Sequence, residues 1–275
     1  MTVRLLSRIA PSALVLALGA ASVAWAAAGS TPRLGGHPDL NGDWFSGSGT
    51  VPPIEFETKR AADGSIELKR AAEQPQADKI RAVGRPQEAT APKYLPKFQA
   101  TVDANWKNLS KTDRVYNCGS PGLPRIGAPQ KIVQTGKEIV FLYADIAGMV
   151  WRVIPLQAPA APSDNDPSYY GDARARWVGD TLVVESANFS DETWFGEFGY
   201  LHSDKMKVTE KLTRRGDAID YDVTVEDPGV LTAPWVKPRQ TMTLAASPLL
   251  EPPPCRIDPD RETDKPDGSF HGQRF

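Results

Sequence analysis

RARWVGDTLVVESANFSDETWFGEFGYLHSDKMKVTEKLTRRGDAIDYDVTVED, residues 174–227, is the stretch on which the fold turns. Residues 174–178 and 181–189 are rich in β-branched and aromatic side chains, and Gly179-Asp180 between them is a Gly-first pair suited to a type II′ hairpin. Residues 200–213 and 218–227 repeat the pattern around a second glycine-bearing turn. Upstream, 132–134, 138–145 and 148–156 read as strands, the first two joined tightly through 135–137, and 236–244 closes the series. Sequential strands with short connections describe an antiparallel meander, and a long meander removes its edges by curling into a barrel. The expected fold is therefore mainly β, an up-and-down barrel over residues 40–245, with a β-sandwich as the alternative.

Side-chain parity then selects an interior. A strand alternates its faces, so within 200–213 the residues His202, Asp204, Met206, Val208, Glu210 and Leu212 fall together, opposite Ser203, Lys205, Lys207, Thr209 and Lys211. The cationic set faces water. On the next strand Ile219, Tyr221, Val223, Val225 and Asp227 share the inward face, and on the preceding one Leu182, Val184, Ser186 and Asn188. Burying a carboxylate costs several kcal/mol unless it is paired, and burial raises its pKa, which is how a general acid or base is tuned. Glu210 is thus the leading catalytic candidate, with His202 as its acid–base partner. The competing interpretation pairs Glu210 with an inward arginine such as Arg152 or Arg239 and makes His202 a capped strand-end residue.

Loop chemistry adds candidate ligand contacts. Trp194, Phe195 and Phe198 stand among acids and glycines between two strands, where they form either a lid over a ligand mouth or core at a barrel end. Residues 157–173 make a second long loop, with Tyr169 and Tyr170 placed to line the same mouth. The ligand-binding set is accordingly Trp194, Phe198, Tyr170, Asn188, Tyr221 and Asp227. Before the meander, Phe98, Val102, Trp106 and Leu109 recur at helical spacing behind Pro96, which predicts one amphipathic helix inserted at 94–110, and a short helix is expected near 71–81.

The ends of the chain speak to compartment. Arg4 and Arg8 precede an apolar run from 10 to 23 and small residues near 24–28, the pattern of a cleaved signal peptide over residues 1–26. Residues 27–39 are a polar lead-in and 246–275 a Pro- and acid-rich C-terminal arm. Export to a periplasm or the cell exterior follows, and in an oxidising compartment the two cysteines, Cys118 and Cys255, are expected to pair. So long a closed loop is worth about 5 kcal/mol in the chain-entropy model. Arg4 and Arg8 leave with the leader, so 34 acids outweigh the remaining bases and nucleic acid is not an expected partner. No stable membrane insertion is expected after cleavage, and His37, His202 and His271 lack metal-ligand spacing. No nucleophile elbow or phosphate loop occurs, and no cofactor is implied.

Two resemblances sharpen this picture. Leu40-Asn41-Gly42-Asp43-Trp44 has the L-x-G-x-W form that opens lipocalin-like barrels, which implies a tryptophan packed across one barrel end. GHPDLNGDW (36–44), YNCGSPGLPRIG (116–127), ARWVGDTLVVESANFSDETWF (175–195), HSDKMKVTEKLTRR (202–215) and VTVEDPGVLTAPW (223–235) together resemble a family of exported bacterial proteins of unassigned function. That family shares an HPDLSGxW start, a WEGDTLVV hairpin and an HSD strand. The chain departs from it at Val178, where the family commonly carries an acid. The resemblance implies kinship and supplies no mechanism. The expected function is binding of an apolar or aromatic small molecule, with a cofactor-independent isomerase, lyase or hydrolase as the alternative.

Overall fold

A computed structural model describes residues 31–46, 56–60, 66–70, 90–145, 147–156, 166–196, 198–252 and 254–255. The expected signal peptide at 1–26, the helix expected near 71–81 and the arm beyond Cys255 lie outside the described residues. Nine strands build an antiparallel, nearly closed barrel. They are β1 (Gly42–Phe45), β2 (Lys131–Gln134), β3 (Glu138–Asp145), β4 (Gly148–Pro155), β5 (Asp172–Val178), β6 (Thr181–Ala187), β7 (Lys207–Arg215), β8 (Ala218–Glu226) and β9 (Gln240–Leu244). Their order around the wall is β4-β3-β2-β1-β9-β8-β7-β6-β5, so the first strand of the barrel sits between β2 and the last. The short strand Trp235–Val236 extends the wall by pairing with the end of β8 that β9 leaves free.

Local chemistry explains the ladder. Gly179 and Gly216 hold φ at +59° in the β5–β6 and β7–β8 turns, a conformation that costs a glycine little. Burial alternates strictly along β7, where Val208, Glu210, Leu212 and Arg214 point in, and along β8, where Ile219, Tyr221, Val223 and Val225 do. β7 and β8 pair through nine residue pairs, from Lys207↔Glu226 to Arg215↔Ala218. Their outward positions juxtapose opposite charges, as at Lys211↔Asp222, which suits a solvated wall.

Three expected boundaries shift. The strand placed at 200–213 begins only at Lys207, because Asp227 accepts from the Ser203 N–H (2.7 Å) and Oγ–H (2.6 Å) and folds 200–206 into a loop. His202 and Asp204 therefore do not share the face of Glu210, and Asp204 is exposed. The strand placed at 181–189 ends at Ala187, since Asn188 turns to φ +62°. The strand placed at 236–244 is interrupted at Pro238, which has no N–H to give to a ladder.

Both barrel ends are closed by chain. At one end His37 stacks on Trp177 with ring centroids 4.7 Å apart, and Leu40 is fully buried. Trp44 lies across this end, donating its indole N–H to the Leu40 carbonyl (3.0 Å), with the Arg214 guanidinium 5.1 Å from its ring. Arg214 also donates to the Asp39 carbonyl, which ties the lead-in to β7. At the other end lies helix α1 (Pro96–Lys107), with Pro96 in its first turn as expected and a further helical turn at Leu109–Thr112. It buries Val102 and packs Trp106 on Phe198, centroids 5.1 Å apart. The Cys118–Cys255 disulfide joins residues 137 apart.

Candidate functional site

The polar centre of the barrel is built on Glu210, at the middle of β7 and wholly buried. Tyr221, inward from β8, donates its hydroxyl to Oε1 (2.7 Å). Arg152, inward from β4, donates from Nη1 to the same oxygen (3.1 Å), and its Nη2 stands 2.7 Å from Oε2. Nη1 also reaches the Tyr143 hydroxyl (3.2 Å) and Nη2 the Ser186 hydroxyl (2.9 Å). Despite the short Nη2–Oε2 approach, Oε2 receives no aligned hydrogen bond, and Arg152 Nε has no partner at all. One donor, the Arg152 Nε–H, is thus left over, and Oε2 is held by charge alone, in an apolar enclosure that includes Phe141, Leu182, Val184 and Val223.

Electrostatics hold the guanidinium and the two phenols of this cluster in one protonation state. Burial alone would depress the Arg152 pKa, but the Glu210 carboxylate overrides it and the guanidinium is held charged more firmly than in water. Burial pushes the Tyr143 and Tyr221 phenols up, the neighbouring Glu210 charge adding to the effect, so both hydroxyls keep their protons.

His202 belongs to a different knot. Its Nδ1–H donates to the Ser203 carbonyl (3.1 Å), which leaves Nε2 to accept from the Thr193 hydroxyl (2.9 Å) in the neutral ring. Asp227, just past the end of β8, gathers three donors: Ser203 N and Oγ and the Gly229 N–H at 3.0 Å. Burial holds the His202 pKa below its ordinary value, partly opposed by Asp227 and Asp191. No hydrogen bond or charge interaction links His202 to Glu210 among the described residues, so the structure does not assemble the expected acid–base pair.

The remaining candidates scatter. Trp194 is 8% exposed and Phe195 1%, so of the two expected roles, lid or core, the loop takes the second and forms a plug. Phe195 packs among Tyr94, Tyr200 and Trp235, Phe198 rests on Trp106 and Tyr200, and Trp194 lies 5.9 Å from the Arg125 guanidinium. Tyr170 is half-buried and shares a 2.5 Å hydrogen bond with Ser120 rather than lining an open mouth. Asn188 donates its amide to Asp172 (2.9 Å) at the β5–β6 boundary. Of the residues singled out by sequence, Glu210 and Tyr221 meet in the central cluster, together with Arg152, suggested as a partner of Glu210, and Ser186 of the inward face.

Arg152 is the residue of the cluster that parity hides. In GMVWRVIP the two alternating sets are both largely apolar, and a lone arginine would be turned to solvent; instead Arg152 is inside and Trp151 is 67% exposed. Arg239, the other suggested partner of Glu210, lies outside and pairs with Asp222 at 2.7 Å. The carboxylate itself is the signal that names Arg152 as a candidate, since a buried Glu210 requires a buried cation. Beside the plug, Asp113 and Arg125 form a second, nearly buried, two-pronged ion pair with both contacts at 2.7 Å. Among the described residues no group of three potential metal ligands gathers, and no helix is long and apolar enough to cross a membrane. No family model, curated protein or solved structure matches the chain.

Proposed function

We propose that the protein is an exported barrel that binds a small, largely apolar or aromatic molecule bearing one polar group, anchored at the Arg152–Glu210 centre. The observation that carries this is the Arg152 Nε–H, buried in the barrel without a hydrogen-bond partner beside a Glu210 Oε2 that is held by charge without an aligned hydrogen bond. Leaving a charged-group donor buried without a partner costs about 1–3 kcal/mol. A carbonyl or hydroxyl on an otherwise apolar ligand relieves that cost, and the surrounding phenylalanine, leucine and valine side chains take its apolar body. Because Arg152 and Glu210 are buried, admission of a ligand requires part of the wall or plug to move. The Cys118–Cys255 bridge accords with the exported location.

Native mass spectrometry of protein purified from a periplasmic extract tests the reading, with the charge-free variant Arg152→Met/Glu210→Met as comparison. A retained small molecule on the wild type that is missing from the variant is the expected outcome. Bare protein in both samples, or the same adduct on both, removes the Arg152–Glu210 centre as an anchor.

A further inference from the structure

The nine strands cannot all be antiparallel to both neighbours. Going once around a ring of alternating strands returns to the starting direction only for an even number, so an odd count leaves one neighbouring pair parallel. Here that pair is β4 and β5: the chain leaves β4 at one barrel end and enters β5 at the other. The seam carries a single parallel bridge, Leu156↔Ala175, set beyond the last residue of β4. By contrast β3–β4 pairs through eight residues and β5–β6 through seven. β1 is also thinly paired, by two residues on either side, but the Lys131–Asp43 ion pair at 2.8 Å and the packed Trp44 reinforce it.

What spans the seam is a side chain. Arg152 projects inward from β4, passes beneath β5, and bonds Ser186 on β6 and Glu210 on β7. The register sets Ala173 beside Ser186 and Ala175 beside Val184, so the inward side chains of β5 along this path are methyl groups. Tyr143 on β3 and Tyr221 on β8 extend the network on either side. The ion pair therefore joins the two halves of the wall at the junction where backbone pairing is thinnest, a single parallel bridge.

We infer that the barrel opens laterally between β4 and β5, and that the Arg152–Glu210 pair is the latch that holds this seam shut. As an entrance for a ligand, the seam rests on the small-molecule reading; as a weak junction of the wall, it does not. A ligand that bonds the latch residues would compete with the closed seam, coupling occupancy to opening.

Amide hydrogen exchange on the wild-type protein tests the opening without any substitution. Amides of β4 bonded to β3, and of β5 bonded to β6, are expected to exchange at least about tenfold faster than those shared by β7 and β8, the mark of a low-energy local opening. Equal protection of the two groups overturns the inference. The entrance is tested by a lock, Leu156→Cys/Ala175→Cys, compared oxidised and after mild selective reduction, with the wild type treated alike. Uptake of the fluorescent probe anilinonaphthalene sulfonate should slow about tenfold in the locked form and recover on reduction, the behaviour of a gating step that limits binding. Uptake equally fast in locked and reduced protein overturns the seam as entrance and leaves the binding reading standing. Fast seam exchange that the lock suppresses, with no probe bound in any form, supports the latch and counts against the binding reading.

Discussion

The barrel interior and the plug at its base each bury a polar knot, and they are built in opposite ways. The interior knot consists of strand residues, Arg152, Glu210, Tyr143, Tyr221 and Ser186, drawn from five different strands and held by full charges. The plug knot of Thr193, His202, Ser203 and Asp227 uses loop residues, and its one carboxylate is satisfied chiefly by backbone and hydroxyl donors. A charge paired with a charge leaves an intolerable remainder when one partner goes, whereas a carboxylate spread over three neutral donors fails piecemeal. The two knots should therefore respond to substitution on different scales.

The largest effect is expected inside the barrel. Glu210→Gln leaves the Arg152 guanidinium buried without a counter-charge and should lower stability by about 3–5 kcal/mol in urea unfolding. The Arg152→Met/Glu210→Met double variant, which removes both charges, should lie within about 1 kcal/mol of the wild type or above it. If the single and double variants are equally destabilised, the interior knot is not acting as a charge pair. Next comes the plug, where Trp194→Ala empties a nearly buried site and should cost about 3 kcal/mol. A loss under about 0.5 kcal/mol, the scale of ordinary surface changes, would return Trp194 to the role of an exposed lid.

Smaller again is Asp227→Ala, which strands the Ser203 and Gly229 donors and should cost about 2 kcal/mol, roughly half the interior effect. The finest distinction is pH. Because burial lowers the folded-state pKa of His202, the unfolded chain takes up that proton first as pH falls. The contribution of His202 is complete above its unfolded value of about 6.5 and is lost as pH drops below that toward the lowered folded value. Urea midpoints for His202→Gln should accordingly fall less between about pH 7.5 and 5 than those of the wild type. Parallel slopes would mean that the Thr193–His202 bond does not tie the plug.

How much of this was legible follows the same division. Val208, Glu210 and Leu212 alternate with Lys207, Thr209 and Lys211, so the inward setting of Glu210 is written in the local period of its strand. The same period extended to His202 sets it on that face too, but Ser203 and Asp227 fold that segment into a loop. The aromatic loop at 194–198 carried no local sign of its direction, since rings among glycines and acids fit a lid or a plug equally. Only contacts with Tyr94, Trp106 and Trp235, all distant in sequence, decide for the plug.

By itself the sequence determined the mainly β meander, the glycine turns at 179 and 216, the helix behind Pro96 and the pairing of its two cysteines. Each depends on residues near in the chain or on there being no other partner to choose. The tertiary structure alone decided that nine strands leave a parallel seam, that Arg152 rather than Trp151 turns inward, and that Arg152 rather than Arg239 meets Glu210. Those outcomes depend on how the sheet closes, because closure sets which strands face one another across the interior, and strand periodicity carries no information about that.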